Sequence, residues 1–338
     1  MEKDLEKEFK GKTVLITGGT GSIGSELVRQ VLQYEPARVR VFSRDETKQY
    51  ELMESLGYPK NLNILIGDIR DKERLNFALR GVDIVFHAAA MKHVSICEYN
   101  PFEAIKTNIV GSQNVIDAAV QQKVKKVIGI STDKAVNPTG VLGTSKLMME
   151  KLFINANNYI KTQDTKFACV RFGNIIWSRG SVLPSWKEHV KKEKVIKVTD
   201  QEMTRFFISR KQAINLVLRA AKLSEGGEIF TLKMASVSLV DLAKIFLEKY
   251  FSSQDIKVEI VGKRQGEKMH EEMFDQADAA RDIYADEEMF ISVAKNRLNN
   301  LYEVPDQSPN YPGFKLVKDY KNISSQEAID LEKIKKII

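Results

Sequence analysis

The sequence predicts an α/β fold: a Rossmann-like, doubly wound parallel sheet with a smaller α/β substrate domain. Apolar β-type runs alternate with amphipathic helical patterns through the first half of the chain. A glycine-rich turn joins the first run to the first helical pattern. Polar residues cluster where later strands end, and open parallel sheets bind ligands at the carboxyl ends of their strands.

The first strand and the turn after it predict a dinucleotide-binding site. The apolar run 12–17 precedes a G-x-x-G-x-x-G motif, and Leu27 and Val31 continue the pattern at helical spacing. Residues without a Cβ let backbone amides and a helix N-terminus approach a pyrophosphate. The residues predicted to hold it are Gly18, Thr20, Gly21, Ser22, Ile23 and Gly24.

The end of the second strand, 39–42, predicts NADP in preference to NAD. NAD-specific folds usually place an acidic residue here, where it accepts from the ribose 2′-hydroxyl. Ser43 and Arg44 follow instead, and a guanidinium beside a small hydroxyl suits a 2′-phosphate that Lys48 could also reach. Asp45 keeps NAD as the alternative.

Two further strands complete the predicted cofactor site. The third, 63–68, ends in Asp68, which is placed to accept from the adenine amino group, with Ile69 beside it. The fourth, 82–87, leads into Ala88 and Ala89, whose small side chains let a nicotinamide ribose lie against the backbone.

The fifth strand, 127–130, predicts an acid/base site. It delivers Thr132, Asp133 and Lys134 to its carboxyl end, and Lys146 follows twelve residues later. Position 142 and Lys146 have the Tyr-x-x-x-Lys spacing of short-chain dehydrogenases, in which the lysine lowers the pKa of a tyrosine base. Here position 142 is Leu142, so the usual base for alcohol oxidation is replaced while an Asp–Lys pair is present.

From about residue 11 to 290 the chain resembles the extended short-chain dehydrogenase/reductase superfamily, and within it the UDP-N-acetylglucosamine 4,6-dehydratases. The glycine motif is shared widely, whereas Ser-Thr-Asp-Lys-Ala at 131–135 and Ser-Arg-Gly-Ser-Val at 178–182 are much more specific. The other matching segments are 43–46, 87–94, 171–174, 203–206 and 266–268. One group of these enzymes has tyrosine at the position of Leu142 and another has methionine, and leucine looks closer to the second group.

The resemblance implies an NADP-dependent dehydration of UDP-N-acetylglucosamine. Oxidation at C4 acidifies C5, water leaves across C5 and C6, and the hydride returns to C6, so the nucleotide acts as a prosthetic group. Lys134, kept neutral by burial or by nearby positive charge, is the implied C5 base, and protonated Asp133 the acid at the C6 hydroxyl. Lys146 would hold the nicotinamide ribose. Thr132 is the candidate relay for the 4-hydroxyl proton, although a strand-end threonine can simply bond to backbone.

By the same resemblance, the second half of the chain would bind the nucleotide part of the substrate. Arg205 and Arg264 are expected to clamp two phosphate groups, because guanidinium matches phosphate geometry bidentately. Lys92, Asn174 and Glu267 are expected to meet polar groups of the sugar or uridine. A homo-oligomer is also expected.

Length and pattern predict interleaved domains. Residues 1–175 are expected to form the NADP-binding domain, with about 199–235 returning to it, and 176–290 the substrate-binding domain. Residues 291–338 are expected to form a C-terminal tail. It ends in a short helix that begins with a Ser324-to-Glu327 capping box and packs on the body or on a neighbouring subunit.

Composition argues against several other functions. The net charge of +7 comes from 52 basic and 45 acidic residues that are interspersed, without the basic stripe of a nucleic-acid binder. No apolar run approaches the roughly 18 residues of a membrane span, and the charged N-terminus lacks a signal-peptide core, so a cytoplasmic protein is expected. Cys97 and Cys169 cannot build a disulfide framework. No metal is expected, because the four histidines lack the spacing of metal ligands. These histidines are His87, His93, His189 and His270.

Two alternatives to a dehydratase are open at this point. A nucleotide-sugar epimerase would normally keep tyrosine at position 142 and would not need Asp133 and Lys134. A non-catalytic NADP-binding regulator often lacks the tyrosine, but it would have little reason to retain these two residues together with Arg205 and Arg264.

Overall fold

A computed structural model describes residues 2–159, 165–252, 254–275, 278, 281–294, 311–317 and 322–338. The helices in these ranges are α1 (Glu2–Phe9), α2 (Ser22–Leu32), α3 (Glu46–Ser55), α4 (Lys72–Ala78), α5 (Val94–Tyr99), α6 (Pro101–Ala104), a π-helix (Ile105–Val110), α7 (Gly111–Gln121), a 3₁₀ turn (Asp133–Ala135), α8 (Val141–Tyr159), α9 (Val182–Glu193), α10 (Arg210–Leu223), α11 (Leu239–Tyr250) and α12 (Leu331–Ile337). The strands are β1 (Thr13–Thr17), β2 (Arg38–Ser43), β3 (Leu62–Ile66), β4 (Ile84–His87), β5 (Lys126–Ile130), β6 (Lys166–Arg171), β7 (Asn174–Ile175), β8 (Val195–Val198), β9 (Thr204–Ile208), β10 (Ile229–Leu232), β11 (Ala235–Ser238), β12 (Lys257–Ile260), β13 (Arg281–Ala285), β14 (Met289–Ala294) and β15 (Lys315–Leu316).

Ten of the described strands form one large sheet, in the order β15-β13-β14-β10-β6-β5-β4-β1-β2-β3. Seven neighbouring strands of this sheet pair in parallel: β10, β6, β5, β4, β1, β2 and β3. Beyond β10, strands β14, β13 and β15 extend the sheet with antiparallel pairing. The order β3-β2-β1-β4-β5-β6 is that of Rossmann dinucleotide-binding folds. The predicted α/β, Rossmann-like fold class is therefore confirmed.

Both faces of the large sheet are buried, which explains why its strands read as continuous apolar runs. Val14 and Ile16 of β1 pack into one hydrophobic cluster with α1, α2 and α10. Leu15, between them, packs into a second cluster with α4, α7 and α8. The parallel strands present their carboxyl ends at one edge of the sheet, so the residues after β1 to β5 meet there.

A smaller layer of the protein is built from two short sheets. Strands β7, β9 and β11 form one, and β8 and β12 form the other. Their shared core includes Trp186 of α9, Phe207 of β9 and Phe246 of α11. Ile334 and Ile338 of the C-terminal segment join the same core, so α12 packs on the body of the protein.

The start of the C-terminal helix differs from the prediction. Ser324 and Glu327 make both reciprocal capping-box hydrogen bonds, at 3.2 and 3.4 Å, but the chain there forms a turn and not a helix. The helix begins at Leu331, where the side chain of Asp330 accepts from the amide of Lys333. The box therefore closes a turn that starts seven residues before the helix, and residues 295–310 of the predicted tail lie outside the described residues.

The domain division stays a prediction, although the strands bear on its boundaries. Helix α10 and β10, within or close to the predicted return at 199–235, lie on the large sheet, whereas β9 belongs to the smaller one. Strands β13 and β14, residues 281–294, also join the large sheet, which a substrate domain ending at 290 does not anticipate.

A buried ion cluster ties the large sheet to later parts of the chain. Arg171, at the end of β6, forms ion pairs with Glu150 of α8 at 2.8 Å and with Asp278 at 2.6 Å. All three side chains are at most 5% exposed. The guanidinium therefore has two carboxylate partners inside the protein, where an unpaired charge is strongly destabilising.

Candidate active site

The glycine turn after β1 forms a cradle that side chains would fill. Gly18 has a φ of +64°, and a Cβ there would lie 2.8 Å from the backbone of Ala89. A Cβ on Gly24 would lie 2.7 Å from the Cα of Gly19. The turn thus needs glycine for its conformation and for the close approach of α2. These residues fit a dinucleotide pyrophosphate at the N-terminus of α2.

A buried hydroxyl–imidazole network holds the opposite wall of this cradle. Thr17 Oγ1 accepts from the amide of Ala89 at 3.2 Å and lies 2.8 Å from Nδ1 of His87. The other ring nitrogen of His87 lies 3.0 Å from Ser112 Oγ. Burial, with a smaller effect of the Lys146 charge, lowers the pKa of His87 to about 3, so the imidazole is neutral. Sequence reasoning missed this network.

The cradle opens into a cleft of about 770 Å³ at the carboxyl edge of the large sheet. Every residue predicted from the sequence to bind the cofactor lines this one cleft: Gly18, Thr20, Gly21, Ser22, Ile23, Gly24, Ser43, Arg44, Asp45, Lys48, Asp68, Ile69, Ala88, Ala89 and Lys146. Arg179, which no sequence argument assigned to the cofactor, lines it too, and its amide donates to Ser22 Oγ at 3.1 Å.

At the adenosine end, the charged residues are already paired with one another. Arg44 lies 3.6 Å from Asp68, with two thirds of its side chain exposed. The side chain of Asp45 caps α3 by accepting from the amide of Lys48 and also pairs with the ammonium of Lys48, which lowers the pKa of Asp45. Asp45 therefore has protein partners in the place where NAD specificity would require it to meet a ribose.

At the other end of the cleft, the predicted acid and base are in direct contact. Lys134 Nζ lies 3.0 Å from Asp133 Oδ1, and Thr132 Oγ1 donates to the same oxygen at 2.8 Å. Lys134 also donates to Asn174 Oδ1 at 3.3 Å. Asp133 is 1% exposed, and its second oxygen has no hydrogen-bond partner among the described residues.

The protonation of this pair differs from the sequence expectation for Lys134. Burial raises the pKa of Asp133, with the adjacent Lys134 charge acting against it. Burial also acts to lower the pKa of Lys134, but the charges of Asp133 and Glu271 outweigh it and the pKa is raised. The expected neutral lysine is therefore not the resting form, because two carboxylates surround its ammonium.

Glu271 is the main site residue that the sequence analysis missed. Its carboxylate lies 3.5 Å from Lys134 Nζ, 3.0 Å from Lys268 Nζ and 3.9 Å from Arg205 Nε. These three cations hold the pKa of Glu271 at about 2 against the opposing effect of burial. The segment around it is irregular and contains several acidic residues, so no periodicity indicated which of them faces inward.

Lys146 is also buried and lines the first cleft. Its ammonium donates to the carbonyl of Ile130 at 2.7 Å, and burial lowers the pKa of Lys146 to about 8. Leu142, in the position of the absent tyrosine, is buried against Cys97 and Ala104 and still lines the cleft. Position 142 therefore combines packing with a wall of the site.

A second cleft of about 430 Å³ adjoins the first, and the two share Lys134, Leu142 and Asn174 in their walls. It brings together all the predicted substrate contacts: Lys92, Asn174, Arg205, Arg264 and Glu267. Trp186 and His189 of α9 also line it, and helical spacing alone did not single them out. Lys134 thus stands where the two clefts meet, whereas Asp133, in contact with it, is buried and lines neither cleft.

The two predicted phosphate clamps differ in their availability. Arg264 is exposed at the mouth of the second cleft. Arg205 is 6% exposed, and its guanidinium donates to the carbonyls of Thr204, Lys268 and Met269. Its remaining donors face Met203 Sδ and the Glu271 carboxylate. A phosphate would have to displace some of these partners, so the clamp at Arg205 stays a prediction.

Among the residues that the structure describes, no group of three or more His, Cys, Asp or Glu residues has the arrangement of a metal site. Within the same ranges, no helix is long and apolar enough to cross a membrane.

Comparisons with known proteins agree with this geometry. A Methanocaldococcus jannaschii protein described as an uncharacterized membrane protein is 45% identical over all of this chain and 98% of its own length. A Campylobacter jejuni UDP-N-acetylglucosamine 4,6-dehydratase (inverting) is 46% identical over 80% of each chain. A Rickettsia akari UDP-glucose 4-epimerase is 38% identical over 98% of this chain and 96% of its own. The solved structure of Pen from Bacillus thuringiensis is 42% identical, with a TM-score of 0.89 over 97% of each chain.

The strand order, the glycine cradle and these similarities define an extended short-chain dehydrogenase/reductase of the kind that modifies nucleotide sugars. Residues 14–293 match the model of one family within this class. The chain belongs to the polysaccharide biosynthesis protein family.

Proposed function

We propose that the protein dehydrates UDP-N-acetylglucosamine to a UDP-4-keto-6-deoxy-N-acetylhexosamine, with NADP as the bound cofactor. The observation that carries the proposal is the contact of Asp133 with Lys134, the lysine that lines both clefts. An adjacent acid and base suit an elimination, whereas an epimerase does not need them. The relatives named as dehydratases and epimerases support a nucleotide-sugar substrate.

The cofactor cleft fits a dinucleotide, and a relative of the same fold, a dTDP-glucose 4,6-dehydratase, was solved with NAD bound. The residues proposed to hold the pyrophosphate are those of the cradle between Gly18 and Gly24, and Lys146 is proposed to hold the nicotinamide ribose. When bound, the nicotinamide supplies the reversible oxidation of C4 and the reduction at C6. Arg44 and Ser43 favour the 2′-phosphate of NADP.

The protein residues would move the protons of the first step. As C4 is oxidised, Thr132 takes the 4-hydroxyl proton and passes its own along the 2.8 Å contact to Asp133. Burial favours this protonation, because it raises the pKa of Asp133. The same proton then leaves from Asp133 with the C6 hydroxyl as water.

Protonation of Asp133 also prepares Lys134. It removes one of the two negative charges that raise the pKa of Lys134, so the ammonium can release its proton to solvent. Neutral Lys134 then takes the C5 proton, the protons of the resulting ammonium exchange with solvent, and Lys134 delivers one of them to C5 after C6 is reduced. At the end of the cycle Lys134 regains from solvent the proton that it had released. Atoms and charges balance, with one water lost and no net oxidation.

A single incubation tests the proposal. Purified protein with UDP-N-acetylglucosamine should give a product lighter by one water, and in heavy water the product should carry solvent deuterium at C5 and none at C6. Asp133→Asn and Lys134→Ala should each reduce turnover by about 10²-fold. Lys211→Ala, on the exposed side of α10, is the control and should leave turnover unchanged. A product of unchanged mass would overturn the dehydratase.

Epimerisation is the second candidate, because the Rickettsia relatives carry that name. An epimerase returns the hydride to C4 and has no use for an acid at C6. The same incubation would then give a mixture of C4 epimers with no loss of water, and Asp133→Asn would retain activity.

A further inference from the structure

Five ionisable side chains meet in one largely buried cluster, and four of them line the second cleft. Asp133 and Lys134 follow β5, Arg205 comes from β9, and Lys268 and Glu271 come from the segment before β13. With both carboxylates ionised, the cluster carries three positive and two negative charges. Asn174 adds a neutral acceptor for Lys134, and the Nδ1 atom of His270, the residue before Glu271, lies 2.8 Å from the hydroxyl of Thr204.

Glu271 is at the centre of this cluster. It is 1% exposed, and its carboxylate is within 3.9 Å of all three cations. Its Oε2 has the ammonium of Lys268 at 3.0 Å but no aligned hydrogen bond. The three neighbouring cations keep this carboxylate ionised, since burial alone would favour its neutral form.

The C-terminal segment fixes the backbone of Glu271. Its amide donates to Ser325 Oγ at 2.8 Å, and its carbonyl accepts from the amide of Ser325 at 2.7 Å. Ser325 is itself buried and contacts the hydroxyl of Thr204 at 2.7 Å. The carboxylate is thus held from two sides at a defined distance from Lys134.

We propose that Glu271 is a positioning residue for the Asp133–Lys134 pair: its carboxylate holds the Lys134 ammonium beside Asp133 and sets how readily that lysine releases its proton. The catalytic consequence of this inference rests on the proposed function. The effect of Glu271 on the titration of Lys134 does not. While Asp133 is ionised, two carboxylates keep Lys134 protonated. Once Asp133 is protonated, Glu271 alone opposes the release of the lysine proton, so the base appears after the acid has been loaded.

Replacing the charge of Glu271 at constant shape should therefore change the titration of Lys134. Glu271→Gln removes a negative charge 3.5 Å from Lys134 Nζ, so the pKa of Lys134 should fall by about 1 unit. The limb of the kcat–pH profile that reports Lys134 should move to lower pH by the same amount. Glu271→Asp retains the charge and should bring the limb back toward its wild-type position.

Competitive acetylation of Lys134 with acetic anhydride, followed by peptide mass spectrometry across pH, measures the titration without any turnover. The control is Glu272→Gln, the neighbouring glutamate, whose carboxylate accepts from Asn137 and lies outside both clefts. The labelling midpoint should fall in Glu271→Gln and stay unchanged in Glu272→Gln. Circular dichroism of each variant verifies folding, and Glu271→Ala serves as the neutral substitution if Glu271→Gln does not fold.

An unchanged Lys134 midpoint in folded Glu271→Gln would overturn the inference, as would a Glu271→Asp variant with the midpoint of a neutral substitution. Failure of the proposed function gives a different result. In that case the midpoint shifts as expected, but neither the wild type nor any variant releases water from UDP-N-acetylglucosamine.

Discussion

At the scale of single residues, the unusual position is Leu142. Leu142 precedes Lys146 by four residues, and its side chain is buried beside Cys97 and Ala104. This side chain has no group that can take or give a proton. The hydroxyl of Thr132, the residue next to Asp133 in the chain, donates to Asp133 Oδ1 at 2.8 Å. The Thr–Asp relay in place of a tyrosine therefore stays a prediction, which this contact supports.

Thr132→Val tests that relay, because it keeps the shape of the side chain and removes the hydroxyl. We expect kcat to fall by about 10²-fold with KM little changed, since the relay acts during C4 oxidation and not in binding. Steady-state kinetics measure both quantities. Leu142→Tyr in the Thr132→Val background should restore part of kcat. Unchanged turnover in Thr132→Val would exclude the relay and leave Asp133 or a bound water as the first base.

Arg44→Ala tests cofactor choice at the same scale. Arg44 is largely exposed at the adenosine end of the cleft, where its guanidinium can meet a 2′-phosphate. Its loss should reduce the preference for NADP over NAD by about 1.5–3 kcal/mol, the range of a hydrogen bond to a charged group. Binding titrations with both dinucleotides measure the preference. Arg38→Ala, at the start of the strand that Arg44 follows and outside the cleft, should leave the preference unchanged; equal loss in both variants would contradict the assignment.

At the scale of elements, the turn between β1 and α2 determines whether the cofactor can bind. Gly18 combines a positive φ with a backbone contact to the turn after β4, so two strands of the sheet meet at a position that tolerates no side chain. Asn108 in the π-helix supports the same region, because its amide bonds both the N–H and the carbonyl of Met91. Such interruptions of regular helix often occur at functional sites.

Gly18→Ala and Gly57→Ala form a matched pair. Both glycines have a positive φ, +64° and +70°, so both substitutions carry a similar conformational penalty. A Cβ at Gly57 meets nothing within 4 Å, whereas one at Gly18 lies 2.8 Å from Ala89. We expect Gly18→Ala to lose cofactor binding by at least about tenfold and Gly57→Ala to retain it, as measured by calorimetry. Equal affinities would mean that the cradle does not touch the dinucleotide.

At the scale of the whole molecule, charged residues join parts of the chain that lie far apart in sequence. Arg171 links the end of β6 to α8 and to Asp278, and Glu271 links the acid/base pair to the C-terminal segment. Both arrangements are buried, so each depends on every partner being present.

Arg171→Met should destabilise the fold, because it leaves Glu150 and Asp278 as buried carboxylates without their partner. The expected loss is about 3–5 kcal/mol in the free energy of unfolding, the range for breaking a buried ion pair. Urea denaturation measures it. Lys244→Met, which removes an exposed pair with Asp241, should cost at most about 1 kcal/mol. Similar losses in the two variants would contradict the special role of the buried cluster.

The sequence by itself determined the fold class, the glycine cradle and the contacts of the cofactor cleft. These depend on local order: an apolar run, a turn without side chains, and polar residues at strand ends, which a parallel sheet necessarily brings to one edge. Asp133, Lys134 and Thr132 were identifiable for the same reason, since they are adjacent in the chain.

Only the tertiary structure decided the protonation of that pair and its partners. Glu271 lies more than 130 residues from Lys134, in an irregular segment where no periodicity shows which side chain points inward. The sequence therefore allowed a neutral Lys134, whereas the fold surrounds it with two carboxylates and keeps it charged. Likewise, the Ser324–Glu327 pair has the pattern of a helix start, but the fold begins the helix at Leu331. Electrostatics and packing depend on distances through space, which the order of residues does not specify.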